Sequence, residues 1–131
     1  MNNDRRTAAI QLRLAKAHLI LQEVPMLIQY KYHSTAITRM YYACLNATRS
    51  LLLTKNLISK THKGVLNMLH EHFVKAGEFD KQMADFFGKL LHQRILIDYG
   101  EELPDEREDI TDYFNSTKQY IELIESRIKT E

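Results

Sequence analysis

Apolar residues recur every three or four positions along most of the chain, and nowhere do they alternate with polar ones for long enough to mark a strand. Residues 5 to 24 are rich in Ala, Leu, Arg and Lys, all good helix formers, and the run stops ahead of Pro25, which disfavours helix in the residue before it. That predicts a first helix. The stretch MLIQYKYHS then reads as a short irregular connection, with Ser34 placed to cap a second helix reaching about Lys55. In that helix Ile37, Met40, Tyr41, Cys44, Thr48, Leu51 and Leu52 share one stripe at 3.6-residue spacing, whereas Arg39 and Asn46 point away.

After NLISKTHKG breaks the pattern, Thr61 is placed to cap a third helix carrying Val65, Met68, Leu69 and Phe73 and stopping near Gly77. A fourth helix is predicted from near Asp80 to about Tyr99, with Gly100 free to adopt the left-handed turn that ends it. Pro104 suits the first turn of a last helix, and the acids after it suit the positive end of its dipole. Within that helix Ile110, Phe114, Thr117, Ile121, Ile124 and Ile128 follow the spacing of a bundle seam. The pattern as a whole predicts an all-α, mostly antiparallel bundle of four to five helices, folded as a single domain over residues 1–131.

Composition changes this picture little. With 44% hydrophobic and 27% charged residues the chain has the balance of a globular protein rather than a disordered one. Its 18 Lys and Arg against 17 Asp and Glu exclude the blanket positive charge of a nucleic-acid coat protein, while leaving room for a local basic patch. One cysteine, Cys44, rules out an internal disulfide and reads as a small core residue. No Cys/His cluster has zinc-ligand spacing, so neither a metal nor another cofactor is expected. Arg13, Lys16 and His18 interrupt any signal-peptide core, and no apolar run reaches the roughly 20 residues of a membrane span. A cytoplasmic protein without membrane association is the expectation.

One helical face carries chemistry. On the fourth helix Met83, Phe87, Leu90, Leu91, Ile97 and Asp98 all fall within roughly 60° of Arg94, which puts an arginine at the centre of the apolar stripe. His92, Lys89 and Asp85 take the opposite, wet side. A guanidinium cannot shed its charge, so Arg94 needs a partner. Asp98, one turn on, offers an intrahelical ion pair. The other reading is a face only partly covered, in which Arg94 and Asp98 line a groove or dimer interface and the guanidinium takes a phosphate.

The segments AITRMYYACLNATRSLL (36–52), KTHKGVLNMLHEHFVKAGEFD (60–80) and RILIDYG (94–100) resemble, in that order, the HEPN-domain family, the higher-eukaryote and prokaryote nucleotide-binding helical bundles. The likeness is to the small stand-alone branch with a Tyr-Tyr-Ala in the second helix and Arg-x-x-x-Asp-Tyr late in the fourth. It implies a helical bundle that forms a homodimer, and an RNA or nucleotide as ligand. It also implies a toxin-antitoxin or defence setting, often with a minimal nucleotidyltransferase as antitoxin partner. Many such proteins are metal-independent ribonucleases.

Carried over residue by residue, the ribonuclease arginine of that family corresponds to Arg94. Its histidine would fall at Tyr99, Gly100 or Glu101, none of which is histidine. Cleavage through the 2′-hydroxyl needs a base, a phosphate clamp and a proton for the leaving group, and a carboxylate such as Asp98 is a poor acid at neutral pH. The candidate catalytic set is therefore Arg94 with Asp98, Tyr99 or His62 in place of the histidine, and the candidate binding set is Arg94, Lys63, Tyr41 and Tyr42. For Tyr41 and Tyr42, core packing with hydroxyls reaching Arg94 or Asp98 is the competing expectation. For His62 it is a hydrogen bond to backbone or to Asp98. Tyr99 points away from the Arg94 face and is open to modification by a nucleotidyltransferase. Two functions stay open: a binding module without cleavage, and a ribonuclease with a variant centre.

Overall fold

Helix α3, His33–Leu53, forms the spine of the protein, and the computed structural model, which describes residues 2–100 and 110–129, packs the other helices around it. They are α1 (Asn3–Leu21), α2 (Val24–Gln29), α4 (His62–Leu69), α5 (Lys81–Asp98) and α6 (Ile110–Lys129). A π-helical turn, His70–Val74, extends α4. There is no strand among the described residues, so the fold is an all-α bundle, as the periodicity predicts. Pro104 and the acidic run around it lie outside the described residues.

Burial on α3 goes well beyond one stripe. Besides the expected Ile37, Met40, Tyr41, Cys44, Thr48, Leu51 and Leu52, the helix buries Ala43, Leu45, Asn46, Ala47 and Ser50. Asn46 corrects the expectation that it points away: α1 covers that side, where Asn46 Oδ1 accepts from Arg13 Nη1 at 3.1 Å and Nδ2 donates to the Tyr42 carbonyl at 2.9 Å. A helix wheel assumes one wet side, and a central helix has almost none.

Two element boundaries also differ from the sequence reading. Residues 24 to 29 are helical, because Pro25 sits in the first turn of α2, where its missing N–H is not needed. Ser34 does not cap α3. Lys31 takes a left-handed φ of 63°, which turns the chain early and lets the Tyr32 carbonyl accept from Ala36 N, so Ser34 falls inside the first turn. Thr61 and Asp80 do cap their helices, accepting from Gly64 N and Met83 N, and Gly77 and Gly100 take the expected positive φ.

Aromatic rings tie the core together and point toward one end of it. Phe79 meets Tyr120 at 5.6 Å between centroids, Tyr120 meets Phe87 at 5.7 Å, and Phe87 stacks on Tyr41 at 5.7 Å with only 7° between planes. Such pairs add about 0.5–1.5 kcal/mol each beyond the area they bury. Tyr120 lies beside the predicted seam of α6 and is fully buried, its hydroxyl 2.6 Å from that of Thr48. The row continues from Tyr41 to Tyr42 and His62, where the core opens.

Candidate anion-binding site

Arg94 stands where the apolar stripe of α5 runs out toward solvent, its side chain one-quarter exposed. Its guanidinium is held on three sides. Nη2 donates to the Tyr42 hydroxyl at 3.1 Å, Nη1 lies 3.4 Å from His62 Nδ1, and Nε is 3.0 Å from Asp98 Oδ2. The last is an ion contact rather than an aligned hydrogen bond, and Asp98 remains about half exposed. The guanidinium carbon also lies 5.6 Å from the Tyr42 ring centre and 5.9 Å from that of Tyr41, within cation–π range.

Three elements set this geometry. Tyr41 and Tyr42 come from the middle of α3, Arg94 and Asp98 from the last turns of α5, and His62 from the first residue of α4. The start of α4 is fixed by the loop before it. Thr61 Oγ1 accepts from Gly64 N at 2.9 Å, and Ser59 folds so closely over Gly64 that an added Cβ there would sit 2.1 Å from Ser59 Oγ and 2.7 Å from the capping Thr61 Oγ1. Glycine at position 64 therefore lets the loop close down and set His62 against Arg94.

The contacts assign protons. A guanidinium only donates, so His62 Nδ1 accepts and the ring carries its proton on Nε2 as a neutral imidazole. Burial, then the charges of Arg94 and Arg49, hold the His62 pKa below its ordinary value of 6.5. The Tyr42 hydroxyl accepts from Arg94 and keeps its own proton to give. Of the five N–H donors on Arg94, Nε–H faces the Asp98 carboxylate, and one on each Nη has no partner among the described residues. An open pocket of about 390 Å³ adjoins these groups, lined by His62, Lys63, Arg94 and His92 over a floor of Leu66, Leu91 and Gly88. Its rim is rich in donors, with Asp98 the carboxylate nearest the guanidinium.

The structure thus gathers Arg94, Asp98, His62, Tyr41 and Tyr42, with Lys63 on the pocket wall. His62 bonds Arg94 rather than the backbone or Asp98. Tyr41 departs from expectation in one respect: its ring packs, but its buried hydroxyl has no hydrogen-bond partner among the described residues, and burial pushes its pKa up. Tyr99 stays apart, at the C-terminal cap of α5 and 80% exposed. Cys44 is fully buried and its thiol pKa is raised by that burial, which removes it as a nucleophile.

Two residues escaped the sequence reading. His92 is exposed, as its place on the wheel predicts, yet lines the Arg94 pocket. Arg49, on α3, acts electrostatically on both Tyr41 and His62. Its spacing of seven residues from Tyr42, two helical turns along one face, is the signal that marks it. Among the described residues no group of His, Cys, Asp or Glu could hold a metal ion, and no helix is long and apolar enough to cross a membrane.

The model of the HEPN domain matches residues 10–127. A UPF0332 protein of Thermotoga maritima is 30% identical over 114 residues, covering 87% of this chain and 86% of that protein. Two proteins of Methanocaldococcus jannaschii provisionally named as toxins are also similar. One is 33% identical over 99 residues, 76% of this chain and 74% of its own length; the other is 27% identical over 115 residues, 82% and 78%. The match spans α3, α4 and α5 and so every residue around Arg94, and the chain belongs to the HEPN domain family.

Proposed function

We propose that this is a toxin-type HEPN protein whose Arg94 pocket binds a phosphate of RNA, as a binding module that does not cleave by the family's arginine and histidine route. The observation that carries the reading is the imbalance of the pocket. Two N–H groups of Arg94, the His62 Nε2–H and the Lys63 ammonium all donate, with the Tyr42 hydroxyl proton beside Arg94, and among the described residues Asp98 is the one carboxylate in contact with Arg94. A site with surplus donors and positive charge takes an anion, and a planar guanidinium already clamped on three sides suits a phosphate. The toxin names of the Methanocaldococcus relatives support the biological setting.

The state of His62 argues against ordinary cleavage. Its one ring lone pair is directed at Arg94, so it is not free to act as a base, and its lowered pKa makes the imidazolium scarce as an acid. The alternative, a metal-independent ribonuclease with a variant centre, draws on His92, the second imidazole at the pocket, together with Asp98 or Tyr99. The partners proposed are a second copy of this chain, through the exposed Ile95 on the pocket wall and the exposed Tyr99 at the end of α5, and a minimal nucleotidyltransferase acting as antitoxin.

The test is end-labelled RNA incubated with purified protein in chelator, read for both binding and cleavage, with wild type beside Arg94→Ala. Binding that Arg94→Ala abolishes, with the RNA intact, is the expected result. Cleavage by wild type that Arg94→Ala removes would establish the ribonuclease. Equal binding by both proteins would sink the assignment of Arg94.

A further inference from the structure

A second pocket, of about 300 Å³, lies against α1, α3 and the loop before α4, and none of the chemistry above uses it. Arg13 of α1 and Arg49 of α3 line it, with Leu52, Leu57, Ile58 and Ser59. Arg13 is fixed by Asn46, whose Oδ1 accepts from its Nη1 at 3.1 Å. Asn46 is neutral, so it positions the guanidinium without compensating its charge. Arg49 is half-buried, and its Nε is fully buried with no hydrogen-bond partner among the described residues. Neither arginine forms an ion pair among the described residues.

Two guanidiniums side by side without a carboxylate repel one another. Burial, and then the charge of Arg13, destabilise the Arg49 cation. A fold gains nothing in stability from this arrangement, because a buried or half-buried cation is ordinarily matched by an anion. Packing alone would be served by a neutral side chain of similar reach. What the arrangement lacks is an anion, and the pocket leaves room for a phosphate group.

The pocket also shares α3 with the first site. Arg49 follows Tyr42 by seven residues on α3, about 10 Å along the helix axis, and Arg94 donates to Tyr42. His62 feels the charges of both Arg94 and Arg49. Ser59, on the rim of the second pocket, hydrogen-bonds Thr61, the neighbour of His62. Arg13 and Arg49 at one pocket and Lys63 and Arg94 at the other thus place four cations on α1, α3, α4 and α5, with the neutral His62 under the charge of Arg49 and Arg94.

We infer that Arg13 and Arg49, positioned by Asn46, form a second phosphate-binding subsite that holds the backbone of an RNA strand a short way along from the phosphate at Arg94. This rests on the reading of the Arg94 pocket as an RNA phosphate site. It explains why one arginine is set by a buried asparagine and the other left without a carboxylate.

The experiment is a titration of fluorescein-labelled oligouridine long enough to cross both pockets, beside labelled uridine dinucleotide, in chelator over a series of salt concentrations. Arg13→Gln and Arg49→Gln should each weaken oligouridine binding about tenfold. Each should also lower the slope of log affinity against log salt by about 0.7, the loss of one backbone contact. Dinucleotide binding should be unchanged. Arg49→Lys should restore most of the slope, which a purely structural arginine would not do, and thermal melts identify any variant that fails to fold. Wild-type affinity and slope in the Arg13 and Arg49 variants, while Arg94→Ala still loses binding, would overturn the subsite and leave the RNA reading intact. No binding of oligouridine by wild-type protein would overturn both.

Discussion

Two polar clusters sit on α3 less than two turns apart, and they are built on opposite plans. In the core, the Thr48 hydroxyl gives its proton to the Cys44 carbonyl at 2.7 Å and so must accept from Tyr120, 2.6 Å away. Both residues are fully buried and the Tyr120 proton is used. The cluster is closed and neutral. At the open end, Tyr42 and His62 each make one directional contact with Arg94, and all three keep a donor in hand. A fold that only needed to satisfy an arginine would resemble the first cluster. The second is left incomplete in a way that an anion completes.

Truncation separates the two most strongly. Phe87→Ala removes a fully buried ring stacked on Tyr41 and against Tyr120, and should cost about 3–5 kcal/mol in urea denaturation. Arg94→Ala should cost within about 1 kcal/mol, since its side chain is one-quarter exposed and its acceptors are water-accessible, while RNA binding is lost. If Arg94→Ala proves as destabilising as Phe87→Ala, the two clusters are both structural and the contrast fails.

The hydroxyls give a finer version of the same contrast. Tyr120→Phe leaves Thr48 bonded to Cys44 but deletes a buried hydrogen bond, and should lower stability by about 1 kcal/mol with no effect on RNA binding. Tyr42→Phe should change stability by no more than about 0.5 kcal/mol, because Arg94 can turn to water, and should weaken RNA binding. The measurement is a pair of denaturation curves and a pair of titrations. Reversal of the two phenotypes would mean that the spare Tyr42 proton has no ligand.

The sequence makes the first cluster's surroundings legible and much of the second cluster obscure, for a physical reason. Helix stripes, the caps Thr61 and Asp80 and the glycine turns at Gly77 and Gly100 are local properties, written in residues a few positions apart. Arg94 is legible too, because an arginine among Phe87, Leu90 and Leu91 breaks a local pattern. Its contacts with Tyr42 and His62 join residues 52 and 32 positions apart, so only the tertiary fold reveals them. Asn46 and Arg49 look like the polar side of an amphipathic helix, and a wheel has no means of knowing that α1 lies over them. Ser34 and Pro25 each have two legitimate roles at a helix start; the left-handed Lys31 decides that of Ser34, and the early start of α2 decides that of Pro25.

Gly64→Ala is expected to change stability little and the site more. The new methyl displaces Ser59 and the Thr61 cap, a loss of about 1 kcal/mol, while alanine gains up to about 1 kcal/mol over glycine in a helix. These offset. What does not cancel is the shift of His62, whose place against Arg94 depends on that cap. RNA binding should weaken several-fold at nearly unchanged melting temperature. Unchanged binding would show that the loop is not what positions the site.

The smallest effect is a proton. His62 has a pKa below its ordinary 6.5 in the folded protein, first from burial and then from Arg94 and Arg49. Above pH 6.5 the ring is neutral in both folded and unfolded chains and contributes nothing to the pH dependence. As the pH falls below 6.5 the unfolded chain takes up a proton that the folded one resists, so stability declines until the folded pKa is passed, then levels off. The same protonation turns Nδ1 from acceptor to donor and sets two cations face to face, which frees Arg94 from one of its clamps. An NMR titration of the His62 ring should therefore give a midpoint below 6.5, and in Arg94→Ala and Arg49→Gln that midpoint should move upward, more for Arg94 because it touches the ring. Removing either charge also exposes the imidazole to solvent, which acts in the same direction, so the conservative Arg94→Lys is the deciding variant: it keeps the charge, and the midpoint should stay low. A midpoint that rises as far in Arg94→Lys as in Arg94→Ala would assign the shift to burial alone and leave the proton placement on His62 without its electrostatic support.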